Sequence, residues 1–177
     1  MKKIFALVLA LSNAACAILP DKEPQAISGD KATVRFTAGR LGDGGFHIYP
    51  RSVSIHVFSG KEGCPWTDGN DLKAAYLFNI DFSYGDYTKV VDVPVDSDIY
   101  AEVIDSYAGS SCRQAFKFTP SSGSSYVVNI SVHDSAVARC SSFVSKADGL
   151  NFESVAGVKY ATPGFMKGIF ESKQICE

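Results

Sequence analysis

Residues 126–133 of this 177-residue chain read YVVNISVH, and this stretch decides the fold class. Its residues alternate between two faces, with Tyr126, Val128, Ile130 and Val132 on one side and Asn129, Ser131 and His133 on the other. A period of two is typical of a strand that buries one face, whereas a helix repeats its apolar residues every three or four positions. The stretch therefore predicts a strand in a sheet with one buried face.

The same alternation recurs along much of the chain. It is clear in residues 31–38 (KATVRFTA), 52–59 (SVSIHVFS) and 75–83 (AYLFNIDFS), where Tyr76, Phe78, Ile80 and Phe82 share one face. Further strands are predicted at residues 88–95, 98–106, 111–119 and, less regularly, 136–144. Turn sequences such as YGDY at 84–87 and PSSG at 120–123 separate them, which gives about eight short strands.

Short strands at this spacing predict an all-β antiparallel β-sandwich, because each sheet must bury its apolar face against another layer. A small closed barrel is the alternative. The arrangement resembles the immunoglobulin-like or transthyretin-like sandwiches of bacterial envelope proteins in architecture, without a shared motif. Residues 146–177 lose the alternation, so we expect an irregular tail with one further strand near 154–160, and a single domain over residues 31–177.

The first residues have the layout of an export signal. Lys2 and Lys3 precede an apolar run at 4–11, which is far shorter than the ~20 residues of a membrane-spanning helix. Residues 1–16 end in Ala14-Ala15-Cys16 and resemble a bacterial lipoprotein signal, although Asn13 stands where Leu, Val or Ile is usual.

The resemblance implies cleavage before Cys16 and a lipid anchor on that cysteine. Ala17 after it implies sorting to the outer membrane, facing the periplasm or the surface of a Gram-negative bacterium. The alternative is cleavage after Ala17, which would yield a soluble periplasmic or secreted protein. Residues 17–30 contain two prolines and mixed charge, so we expect a flexible tether.

The chain has five cysteines, and setting Cys16 aside leaves Cys64, Cys112, Cys140 and Cys176. An even number in an exported protein predicts two disulfides. Three pairings are possible and the sequence does not choose among them. Loops of moderate length favour Cys64–Cys112 with Cys140–Cys176. Since these cysteines form no CxxC pair and no Cys/His cluster at zinc spacing, we expect no metal site.

The net charge and the absence of known catalytic motifs limit the classes of function that this chain can have. Loss of Lys2 and Lys3 with the signal shifts the net charge from −2 to −4, which argues against a nucleic-acid partner. The three histidines are His47, His56 and His133. The run His133-Asp134-Ser135 holds the residue types of a triad, but neighbouring residues at a strand end point in different directions. No nucleotide-binding or hydrolase motif is present, so we expect a non-enzymatic protein without a cofactor.

Aromatic residues in predicted loops suggest a binding surface. Trp66 follows Cys64 and Pro65 in a long loop, while Tyr84 and Tyr87 flank a hairpin tip. Such side chains could stack on a glycan or anchor a protein partner. For Trp66 itself we favour the other interpretation, in which it folds back to cap the core beside a disulfide. The leading expectation is a lipid-anchored envelope protein with a structural or interaction role. A soluble binding module for carbohydrate or protein, such as an inhibitor, is second, and a small hydrolase is third.

Overall fold

The computed structural model describes residues 19, 21–38, 52–66, 72–82, 88–107, 110–133, 139–161 and 175–176. These residues contain ten strands and one four-residue helix. In chain order the elements are β1 (Lys31–Ala38), β2 (Ser52–Ser59), α1 (Leu72–Ala75), β3 (Tyr76–Phe82), β4 (Thr88–Pro94), β5 (Ile99–Tyr107), β6 (Ser110–Phe118), β7 (Ser125–His133), β8 (Arg139–Asp148), β9 (Asn151–Ser154) and β10 (Lys159–Ala161).

The strands form two five-stranded sheets packed as a sandwich. Sheet 1 has the order β4-β1-β7-β8-β9, and sheet 2 has the order β10-β6-β5-β2-β3. Two separate sheets with edge strands exclude the closed barrel and confirm the all-β sandwich. The predicted antiparallel pairing holds for every strand pair except β1 and β7, which run parallel.

The strand order excludes one of the two architectures that the sequence left open. In an immunoglobulin sandwich the first, second, fourth and fifth strands share one sheet. Here β1 lies between β4 and β7, while β2 lies between β3 and β5 in the other sheet. The order is therefore not the immunoglobulin one.

The core lies between the two sheets and follows the predicted alternation. In β1 the burial alternates strictly, with Ala32, Val34, Phe36 and Ala38 buried. The largest core side chains that are at most 1% exposed come from both sheets: Phe36, Phe82, Phe116, Phe118, Ile55, Ile99 and Ile130. Burial of such side chains stabilises the fold by about 1.5–3 kcal/mol each, relative to their exposure to water.

The C-terminal part is more regular than predicted. The strand expected at 136–144 continues to Asp148, and two short strands, β9 and β10, take the place of the one expected near 154–160. β9 pairs with β8 at the edge of sheet 1, and all four of its residues are exposed. An edge strand that buries neither face has no reason to alternate, which is why the sequence pattern failed there.

Sheet 2 also carries a second apolar cluster on its outer face, which we call the outer cluster. It consists of Phe58, Ala75, Tyr76, Tyr100, Ala115, Ala161 and Ile175, with Leu19, Cys64, Trp66, Leu72 and Cys176 packed against them. Residues from outside the sheet therefore cover part of the outer face of sheet 2, where only a solvated face was expected.

Tyr76 belongs to the outer cluster, in contrast to its predicted place beside Phe78. Val57 pairs with Phe78, but the next residue, Phe58, pairs with Tyr76, so the register shifts by one residue at this point. Because side chains alternate with a period of two, such a shift moves Tyr76 to the opposite face.

Candidate functional site

The residues that the sequence singled out fall in different parts of the chain. Cys16, Tyr84 and Tyr87 lie outside the described residues, so the lipid-attachment and hairpin-tip predictions stay predictions. His47 lies outside them as well. Trp66 and the four paired cysteines are described, and they can be placed in the fold.

Two disulfides form from the four expected cysteines, but the favoured pairing was wrong. The bridges are Cys112–Cys140 and Cys64–Cys176. Cys112 lies in β6 of sheet 2 and Cys140 in β8 of sheet 1, so this bridge joins the sheets. Loop length could not reveal this pairing, because β6 and β8 are brought together by the packing of the sheets.

The second bridge joins two segments that pack against the outer cluster. Cys64 lies in the loop after β2, and Cys176 follows the buried Ile175. The sequence separation is 112 residues. The bridge therefore ties the C-terminal end of the chain to the loop that carries Trp66.

Trp66 closes one side of this cluster. Its ring lies 5.5 Å from Phe58 and 5.7 Å from Tyr100, centroid to centroid, in edge-to-face contact with each. Trp66 is partly buried, and the preceding Pro65 is buried. Trp66 thus folds back beside a disulfide, as favoured from the sequence, but it covers the outer cluster instead of the core between the sheets.

The loop that carries Trp66 begins with a tight contact at Gly60. The Gly60 amide donates to the Asp98 carbonyl oxygen at 2.7 Å. A Cβ at this position would lie 2.8 Å from a ring carbon of Tyr100 and 2.9 Å from that carbonyl oxygen. Only glycine fits here without displacing its neighbours, so the start of the loop is held against β5. Burial raises the pKa of the Tyr100 hydroxyl above its ordinary value.

A buried polar group lies on the same face of sheet 2, and the sequence analysis missed it. Glu102 in β5 is 4% exposed. Its Oε1 accepts hydrogen bonds from Nε of Arg113 at 2.8 Å and from Nη2 of the same residue. Its Oε2 lies 3.7 Å from Nδ1 of His56, which is directly opposite in β2. We call these three residues the outer polar cluster.

A signal for this cluster was present in β5. Ala101 and Val103 point into the sandwich core, so Glu102 must point outward, flanked on that face by Tyr100 and Ile104. A carboxylate between large apolar residues on a face expected to be solvated indicates that another layer covers the face.

The outer polar cluster contains an imidazole and a carboxylate but does not form a nucleophile–base pair. Nδ1 of His56 is buried and, among the described residues, has no hydrogen-bond partner. The imidazole ring of His56 also contacts the ring of Tyr76 edge-to-face, with 6.0 Å between the two ring centroids. A hydrolytic triad needs a serine or cysteine within hydrogen-bond reach of the base, and the described contacts of His56 include neither. The geometry is that of a structural ion pair.

Part of the predicted tether lies along the free edge of β3. The Asn79 amide donates to the Lys22 carbonyl oxygen at 3.0 Å, and the Lys22 amide donates to Oδ1 of Asn79 at 2.7 Å. Oδ1 of Asn79 also accepts from the Tyr76 hydroxyl at 2.9 Å. Asp21, Glu23 and Pro24, together with residues of β3 and β4, line a cavity of about 300 Å³. Its charged lining residues are Asp21, Glu23, Asp81 and Lys89.

Tyr76 connects this edge to the outer cluster. Its pKa is raised from 10.0 to about 12, first because burial disfavours the phenolate and then because the carboxylates of Asp21 and Asp81 repel it. The hydroxyl therefore stays protonated at neutral pH and can act as the hydrogen-bond donor to Asn79.

No helix among the described residues is long and apolar enough to cross a membrane. Within the same residues, no group of three or more His, Cys, Asp and Glu side chains is arranged to hold a metal ion. Comparison of the sequence with models of known protein families and with curated proteins finds no match.

Proposed function

We propose that this protein is a non-enzymatic component of the bacterial cell envelope, exported through its N-terminal signal and held at the outer membrane by a lipid on Cys16. The observation that carries the proposal is the use of the cysteines. Cys64, Cys112, Cys140 and Cys176 are all consumed in two disulfides, which leaves Cys16 as the odd one of five. Disulfides of this kind form and persist in oxidising compartments, which supports export.

The residues around Cys16 supply the rest of the argument. The positive start, the apolar run at 4–11 and the small residues Ala14 and Ala15 before the cysteine have the form of a lipoprotein signal. In such proteins the thiol becomes a thioether to diacylglycerol. Stable anchoring takes at least two lipid signals, which a diacyl group satisfies. The anchor would make the membrane the first partner, and a protein or glycan partner would be met there.

The proposal assigns a structural or interaction role to the sandwich. The outer polar cluster holds its charges in an ion pair and presents no nucleophile among the described contacts. The soluble binding module remains the alternative. Trp66 was the main residue that suggested it, and its ring packs against Phe58 and Tyr100. We therefore place the anchored form first.

Intact-mass measurement of the protein extracted from membranes with detergent tests the proposal. The expected mass is that of a chain beginning at Cys16 and carrying a diacylglyceryl group. The matched control is Cys16→Ser, which keeps the rest of the signal but cannot form the thioether, so its acyl mass must disappear. A mature chain that begins at Ile18 without added mass would contradict the anchor and favour the soluble alternative.

A further inference from the structure

We propose that the anchored protein faces the membrane with the outer side of sheet 2, where Leu19, Cys64, Trp66 and Cys176 pack against the outer cluster. We call this side the disulfide side. The inference rests on the proposed lipid anchor at Cys16. It commits to one partner, the phospholipid headgroup layer of the membrane in which the anchor sits.

The first argument is the length of chain between the anchor and the folded domain. Leu19 packs against the outer cluster, and only Ala17 and Ile18 lie between it and Cys16, so the two Cα atoms are three peptide steps apart. Consecutive Cα atoms are 3.8 Å apart, so the Cα atoms of Cys16 and Leu19 cannot be more than about 11 Å apart. An eight-residue strand of the sandwich, by comparison, is about 26 Å long. The domain therefore cannot place its opposite side next to the anchor while Leu19 stays in the cluster.

The second argument is that the segment after Leu19 is also fixed. Lys22 exchanges two hydrogen bonds with Asn79 at the edge of β3. If residues 17–30 were a free chain, they would allow a root-mean-square separation of about 20 Å between the anchor and β1. With Leu19 and Lys22 held on the body, only two residues, or three peptide steps of at most about 11 Å, remain between the anchor and the domain. This length is comparable to the thickness of one headgroup layer, which is about 5–8 Å.

The third argument is the chemistry of the disulfide side. Trp66 is partly exposed and has an apolar ring with one N–H donor, and such rings are enriched at the membrane–water interface. The adjoining loop carries one exposed cation, Lys61, and one exposed anion, Glu62. Over its full length, residues 60–71, the loop carries Lys61 against Glu62, Asp68 and Asp71, a net charge of −2. Attraction to anionic lipid therefore does not drive the contact, which is imposed by the short anchor.

Trp66 is the single tryptophan of the chain, so its fluorescence reports on this side alone. The probe is a phosphatidylcholine vesicle in which some lipids carry a nitroxide on the headgroup, with the full lipidated protein inserted. We expect the headgroup nitroxide to remove most of the Trp66 emission. The same protein produced behind a non-lipid export leader should keep its emission when the same vesicles are added.

Two insertion variants separate the short anchor from other causes. About twelve Gly and Ser residues between Cys16 and Ala17 would add roughly 20 Å of free chain and should restore most of the emission. The same insert between Gly29 and Asp30 lies beyond the docked segment, where Gly29 has open space around it, and should leave the quenching unchanged.

The outcomes distinguish the two proposals. If the membrane-extracted protein has no acyl mass, the lipid anchor is wrong and the orientation falls with it. If the acyl mass is present but the headgroup nitroxide does not quench Trp66, the orientation is wrong and the anchor stands. Equal quenching in both insertion variants would overturn the claim that docking of Leu19 and Lys22 sets the orientation.

Discussion

Glu102 shows how a buried charge on the outer face of sheet 2 is paired by neighbours in the same sheet. Its carboxylate is 4% exposed, which would be costly without partners. Arg113 supplies two donors to one of its oxygens, and His56 lies near the other. The buried carboxylate of Glu102 is therefore tolerated because it is paired with Arg113. Removal of either side chain leaves the charge of the other without a partner.

We expect Glu102→Gln to lower the free energy of unfolding by about 1–3 kcal/mol, because the amide loses the charge that pairs with Arg113. The estimate stays below that of a fully buried pair because Arg113 is 37% exposed. Urea unfolding followed by circular dichroism measures the change. Glu153→Gln, on exposed β9, is the matched control and should change stability by less than about 0.5 kcal/mol. Equal stability of the two variants would show that the pair contributes nothing.

Tyr76 makes stability depend on alkaline pH. Its pKa is about 12 in the folded protein against 10.0 for the free side chain. Below pH 10 the phenol is protonated in both states. Between pH 10 and 12 the unfolded chain loses the proton first, so stability falls as the pH rises through this window.

Tyr76→Phe should therefore flatten the loss of stability between pH 10 and 12. At neutral pH the variant should lose about 1 kcal/mol, since the hydrogen bond to Asn79 is gone. A series of urea unfolding curves across this pH range measures both effects. Identical alkaline slopes for the wild type and the variant would contradict the raised pKa.

At the scale of elements, the loop after β2 and the C-terminal end form a unit held by one disulfide. Gly60 fixes the start of the loop against β5, Trp66 packs on Phe58 and Tyr100, and Cys64 binds Cys176. The other bridge, Cys112–Cys140, lies between β6 and β8. The two bridges thus stabilise different layers, and their removal should have different consequences.

Replacement of Cys64 and Cys176 by alanine should expose Trp66 to water and leave the sandwich folded. Tryptophan emission should shift to longer wavelength while the far-ultraviolet circular dichroism keeps its β-sheet form. The chain-entropy estimate for a separation of 112 residues limits the cost to about 4–5 kcal/mol.

The matched control replaces Cys112 and Cys140, whose separation of 28 residues corresponds to about 3–4 kcal/mol. This variant should unfold at lower urea concentration but keep the native Trp66 emission before the transition. Emission shifted in the control and unchanged in the Cys64/Cys176 variant would show that the bridges have been assigned to the wrong layers.

At the scale of the whole molecule, the sandwich could be predicted because its cause is local. A strand with one buried face repeats its apolar residues every second position, as β1 and β7 do. That pattern can be read without knowing which strands are neighbours. The alternating pattern does not reveal the short edge strands β9 and β10, because they bury too little surface to require apolar residues at every second position. The pattern does not reveal the outer cluster either, because this cluster is formed by residues from distant segments, such as Leu19, Tyr100 and Ile175.

The sequence by itself determined the all-β class, the inward faces of the main strands and the four cysteines that form disulfides, because these follow from side-chain period and composition. Only the tertiary structure decided the pairing of those cysteines, the parallel β1–β7 contact and the place of Trp66 and Glu102. These features depend on which segments meet in space. A register shift of one residue at Phe58 is enough to move Tyr76 from one layer to another.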